Sequence, residues 1–141
     1  MSLSSIVLCL FFLQLKHLIV DWIWQPEYEH KNKGNLRHFG GYRHAGKNAI
    51  GTLLVFLYFF SGNPFVLIVL PLDFTIHFVI DWCKVNINQH YKLDPTKHPE
   101  FWWLTGLDQF LHQITYIYLL WLVLTHIPLV EGNTTIIGAD K

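Results

Sequence analysis

Four apolar stretches divide this chain of 141 residues, each long enough or nearly long enough to cross a lipid bilayer. The first runs from about Ser5 to Gln25 and stops at Pro26. The second runs from about His44 to Phe60, the third from Phe65 to about Asn86, and the fourth from about Phe101 to Ile127, just before Pro128. A helix rises about 1.5 Å per residue, so roughly twenty residues cross a hydrocarbon core of about 30 Å. The expected fold is therefore all-α: a polytopic membrane protein, one four-helix transmembrane bundle over residues 1–141, with spans at about 5–25, 44–60, 65–86 and 101–127. Ser61-Gly62-Asn63-Pro64 reads as a tight turn joining the second and third spans. Pro71 is expected to kink the third, which neighbouring helices in a membrane can accommodate.

Composition agrees with this solvent. Only 14% of residues are charged, against about 25% in a soluble domain. Eleven Phe and six Trp exclude a disordered chain, and ten basic residues balanced by ten acidic ones exclude nucleic-acid binding driven by bulk charge. The first span is no cleavable signal peptide, because its first basic residue is Lys16 and no A-x-A site follows. Cys9 and Cys83 lie in different spans and form no CxxC pair.

Basic residues set the direction of the spans. Lys31, Lys33, Arg37, Arg43 and Lys47 fall in or beside the polar stretch Glu27–Arg43, and Lys84, Lys92 and Lys97 in or beside Val85–Glu100. The leader, the turn and the tail together hold only Lys141. The positive-inside rule then places both long loops in the cytoplasm and both termini outside. Trp22, Trp24, Trp82, Trp102 and Trp103 read as an aromatic belt at the inner interface. The basic first loop can attract anionic membrane lipid or simply set the topology.

The ionisable residues inside the spans carry the functional information. Such residues are costly in a membrane helix and mark functional sites. His17/Asp21, His77/Asp81 and Asp108/His112 are all i,i+4 pairs, so each lies on one helix face. Asp73 extends the third-span row, Gln25 the first, and His44 opens the second span with Lys47 and Asn48 behind it. In an up-down bundle all these groups fall in the cytoplasmic half. His30, His38, His90 and His98 read as exposed loop residues, and His126 as interfacial.

Imidazoles and carboxylates converging from several helices suit a divalent metal, as in soluble bundle proteins with di-metal cores. The expected ligands are His17, Asp21, His44, His77, Asp81, Asp108 and His112. Nitrogen and oxygen ligands point to zinc, manganese or iron. Seven groups exceed one tetrahedral shell, so one or two ions are expected, with any spare carboxylate orienting an imidazole. Such a site, open to cytoplasmic water, can hydrolyse a lipid or other membrane-proximal ester. Asp21 or Asp108 would act as base, and Lys84, one turn past Asp81, would neutralise a phosphate. Two other classes use the same residues: an ion or proton pathway through Asp73, His77 and Asp81, and a non-catalytic membrane protein whose polar contacts only hold the helices together. No GxxxG motif marks a helix interface, and a homodimer of so small a bundle is an open expectation.

His17-x-x-x-Asp21 followed by Gln25 and Lys31, then His77-x-x-x-Asp81-x-x-Lys84, then Asp108-Gln109-x-x-His112, resembles a family of small integral membrane proteins of bacteria and phages. It is known as the domain of unknown function 3307. The resemblance runs from about Leu15 to Leu120, with either His38 or His44 as the counterpart of the family's second-helix histidine. It implies a multi-pass protein, expected in the bacterial inner membrane; in the non-catalytic alternative, a phage-encoded protein would bind a host membrane protein. The His/Asp pattern is also similar, more loosely, to that of membrane-bound metal-dependent hydrolases.

Overall fold

The computed structural model describes residues 2–126, which form helices and turns with no strand. Ile127, Pro128 and Lys141, on which the fourth span's end and the C-terminal charge count depend, lie outside the described residues. Helix α1 is Leu3–His17, capped by the Ser2 hydroxyl accepting from the Ser5 N–H, and it continues without a break as a π-helical segment, Leu18–Ile23. A short α2, Glu27–Asn32, follows Pro26. Helix α3 is Phe39–Phe60, a 3₁₀ turn is Pro64–Ile68, α4 is Val69–His90 and α5 is Pro99–Thr125.

The four long helices pack in a ring, α1 on α3, α3 on α4, α4 on α5 and α5 on α1, while α2 lies against α3. Two of the helical segments, Leu3–Ile23 and Pro64–His90, are long and apolar enough to cross a membrane. Helices α3 and α5 have the length but begin with polar residues, among them Arg43, His44, Lys47 and Asn48 in α3.

The end of the bundle beside the Phe60–Pro64 turn has an apolar core of Cys9, Leu13, Phe56, Phe60, Val66, Leu119 and Val123. The opposite, loop end is filled differently. Buried polar side chains are about as numerous in the described residues as buried apolar ones. Meanwhile Val7, Phe11, Leu54, Tyr58, Ile117 and Trp121 stand exposed on the outer faces of the helices. The bundle is polar inside and apolar outside over much of its length.

Two local expectations are corrected. Pro71 does not sit inside a long α-helix, because α4 begins only at Val69, after the 3₁₀ turn. Proline there falls in the first turn, whose N–H groups have no intrahelical acceptor in any case. The stretch Glu27–Arg43 is not simply a polar loop. It holds α2 and the first residues of α3, and it buries Glu29 and Lys33.

Two glycines make that docking possible. A Cβ on Gly40 would stand 3.0 Å from the Tyr28 carbonyl oxygen, and one on Gly41 would stand 3.0 Å from both the Lys33 carbonyl oxygen and the Phe78 ring. Backbone oxygens cannot turn aside as a flexible side chain can. Gly41→Ala should therefore lift α2 off α3 and destabilise the protein by about 1–3 kcal/mol, the usual cost of overpacking. Thermal unfolding in lipid nanodiscs measures it; an unchanged midpoint would show that the packing gives way freely.

Candidate metal centre

At the loop end, α1, α3, α4 and α5 each turn ionisable side chains toward the bundle axis. His44 and His77 are fully buried, and His112, Asp21, Asp81 and Asp108 nearly so. Asp21 Oδ1 lies 2.8 Å from His44 Nε2 and 3.3 Å from His77 Nε2, and the two nitrogens are 3.2 Å apart. Asp81 Oδ2 lies 3.2 Å from His44 Nε2 and 3.5 Å from His77 Nε2, while Asp81 Oδ1 is 3.8 Å from His112 Nε2. Two sets of three can each hold a metal ion: Asp21, His44 and His77, and His77, Asp81 and His112. In each, the ligand atoms lie within 4.8 Å of one another. His77 belongs to both.

The spacing fits such an ion. Ligands about 2.0–2.1 Å from a tetrahedral metal stand roughly 3.4 Å from one another, and most of the separations above fall near that value. Moreover, His112 Nε2, Asp81 Oδ2 and Asp108 Oδ1 are buried without a hydrogen-bond partner. Orphaned buried polar atoms cost about 1–3 kcal/mol each and are rare unless something further satisfies them.

Behind the ligand atoms stand groups that hold them. His44 Nδ1 faces the Gln25 amide at 3.1 Å and the Glu29 carboxylate at 3.6 Å. A carboxylate behind one imidazole nitrogen favours the tautomer whose other nitrogen is free to ligate. Glu29 is itself fully buried and paired with Lys47 at 2.6 Å. Asn48 donates to Asp21 Oδ1 at 3.0 Å. Lys33 reaches in from the end of α2 and donates to Asp81 Oδ1 at 2.9 Å. Burial pushes the Lys33 ammonium down, but the Asp81 and Asp21 carboxylates outweigh it and hold the group above the ordinary lysine value.

Not every expected ligand joins the cluster. His17 Nδ1 accepts from the Tyr116 hydroxyl at 2.9 Å, and Nε2 donates to Gln109 Oε1 at 2.9 Å. The pattern is self-consistent, since Lys16 donates to the same hydroxyl at 3.0 Å. With both nitrogens engaged, His17 is a hydrogen-bonded neighbour of the cluster. Asp108 is absent from both sets of three; its Oδ1 stands 3.7 Å from His112 Nε2 and its Oδ2 accepts from Gln109. Of the two candidate second-helix histidines, His44 is in the cluster and His38 is exposed. Lys84 makes no ion pair among the described residues, and it is Lys33 that holds Asp81. A hollow of about 300 Å³ opens beside the cluster, lined by Asp21, Gln25, Lys33, Lys84, Asp108 and Gln109 among others.

One turn deeper lies a second polar layer. Lys16 stands 4.0 Å from Asp73 and donates to Asn48 at 3.3 Å, and the Thr52 hydroxyl donates to Asp73 at 2.7 Å. Lys16, Glu29 and Lys33 are the functional neighbours that residue spacing does not reveal. For Lys16 a signal existed: a lysine inside an apolar span is costly and needs a partner. For Glu29 and Lys33, set in a polar stretch, there was none.

Neither the curated proteins nor the solved structures yield a match to this chain. A family profile does match, over residues 8–135, and this takes in every residue of the cluster. The chain belongs to that family, described as a protein of unknown function (DUF3307).

Proposed function

We propose that this is a multi-pass membrane protein whose four long helices all span the bilayer, with the His/Asp cluster as a divalent-metal centre in its cytoplasmic half, and that it hydrolyses a membrane-proximal ester. Two helices long and apolar enough to cross a membrane, an outer surface of exposed Leu, Phe and Trp, and a polar interior support the membrane reading. The basic residues of the two long loops favour the cytoplasmic side for the cluster's end of the bundle. The carrying observation is the cluster itself: five buried ligand residues at metal-like spacing, with orphaned atoms among them and a polar hollow at their side.

The ligands would be Asp21, His44, His77, Asp81 and His112, for one ion or for two sharing His77. A zinc, manganese or iron ion held there would polarise a water and lower its pKa toward neutrality. Asp108, whose Oδ1 is free and which lines the hollow, takes up the proton of the attacking water. Lys84, on the same wall, neutralises the charge that develops on the ester. His17, tied between Tyr116 and Gln109, keeps the α1–α5 contact in place.

The test is hydrolysis of phospholipid in nanodiscs by protein of known metal content. Chelation should abolish turnover and metal restore it, and Asp108→Asn should lower the rate by about 100-fold with metal retained. Turnover indifferent to chelation would overturn the reading.

The Lys16–Asp73 layer favours a second reading, an ion or proton pathway, because it carries the polar network deeper. Against it, the described core between Asp73 and the turn end is apolar, formed by Phe56, Phe60, Val66 and Val123. Flux through proteoliposomes no greater than through empty vesicles would remove it.

A further inference from the structure

Three hollows share walls along the seam between α4 and α5. One of about 620 Å³ lies at the loop end, where Tyr91, Leu93 and Trp103 line it. A second of about 210 Å³, walled almost wholly by apolar side chains, shares Ile87, Leu104 and Leu107 with the first. The polar hollow beside the metal cluster in turn shares Lys84 and Asp108 with the second. An apolar groove therefore runs along the outer surface of the bundle and ends on the polar hollow. Its lining opens on the outer surface of the bundle, where Leu107 is 52% exposed.

The junction carries the information about the occupant. Lys33, the other lysine of the hollow, is committed to Asp81, whereas Lys84 has no carboxylate partner among the described residues. An unpaired ammonium at the end of an apolar groove is complementary to one kind of molecule, an anion attached to a hydrocarbon chain. A soluble phosphate would leave the groove unused, and a neutral lipid would leave the ammonium unpaired.

We infer that the α4–α5 seam binds an anionic lipid, its phosphate head beside Lys84 and its acyl chain against Val79, Ile80 and Leu111 of the smaller apolar hollow, on the side of Lys84 away from the loop end. This rests on the proposed hydrolase and names its substrate class as a lipid phosphate ester entering sideways from the bilayer.

The experiment uses the full chain in phosphatidylcholine nanodiscs and an alkyl phosphate probe carrying a photoreactive diazirine in mid-chain. Crosslinks are mapped by peptide mass spectrometry. Labelling should concentrate on residues 79–111. Unlabelled dodecyl phosphate should compete, and inorganic phosphate should not. Leu107→Trp, which fills the groove at an exposed position, and Lys84→Gln should each reduce labelling at least about fivefold. Labelling spread over the lipid-facing sides of all the helices would overturn the inference. So would labelling that neither substitution reduces, or full competition by inorganic phosphate. The probe is read with chelator present, so a protein that labels as expected but binds no metal sinks the hydrolase and leaves the seam standing.

Discussion

Protein purified from a metal-replete source is expected to carry stoichiometric divalent metal, and His77→Ala to lose it, with affinity falling by at least about 100-fold. His77 is the position to change because it belongs to both sets of three ligand residues. Removing it dismantles either candidate centre, whereas His44→Ala or His112→Ala leaves one set intact. Even residues behind metal ligands change affinity by about 10–100-fold, so a shared ligand should do no less. His17→Ala is the informative control. With both its nitrogens bonded to Tyr116 and Gln109, its loss should loosen the α1–α5 contact and leave metal content near wild type. Elemental analysis by mass spectrometry measures both. A wild-type protein without stoichiometric metal would reduce the cluster to a structural hydrogen-bond network. Metal loss in His17→Ala equal to that in His77→Ala would mean that His17 ligates.

Lys33→Met is expected to destabilise the metal-free protein by about 3–5 kcal/mol, the cost of leaving one member of a buried ion pair alone. Both members are almost wholly buried, so solvent screens the pair very little. The double variant Lys33→Met/Asp81→Asn should recover much of the loss, because the stranded charge is then gone. The pH dependence has a definite sign. Asp81 and Asp21 hold the folded-state ammonium above its ordinary value despite burial. Its contribution is therefore complete below the unfolded lysine value of about 10.4 and is lost only as pH rises through the higher folded value. The difference between wild type and Lys33→Met should be constant across neutral pH and shrink only under strongly alkaline conditions. Thermal or denaturant unfolding in nanodiscs reads all three proteins. A loss that Asp81→Asn fails to relieve would place the role of Lys33 in packing α2 on α3.

The i,i+4 spacing of His17/Asp21, His77/Asp81 and Asp108/His112 was legible because helical periodicity alone puts such pairs on one face. Each pair does lie within reach of itself, at 3.5–3.7 Å. The shortest contacts of the ligand residues themselves are of another kind, Asp21 with His44 and Lys33 with Asp81, between residues far apart in sequence. Periodicity cannot see them, because it describes one helix at a time. For the same reason it could not separate His17 from the ligand set: what occupies its nitrogens comes from α5.

The sequence by itself determined the helical class, the polar interior and the end of the bundle at which the His/Asp pairs gather, since these follow from hydropathy, rise per residue and the 3.6-residue turn. Tertiary structure alone decided which ring nitrogens are free, which carboxylate is left over, and that a short helix in a polar stretch delivers Glu29 and Lys33 to the site. Those outcomes depend on how helices rotate and approach one another. That is fixed by close packing at points such as Gly40 and Gly41, where a missing Cβ lets two backbones meet.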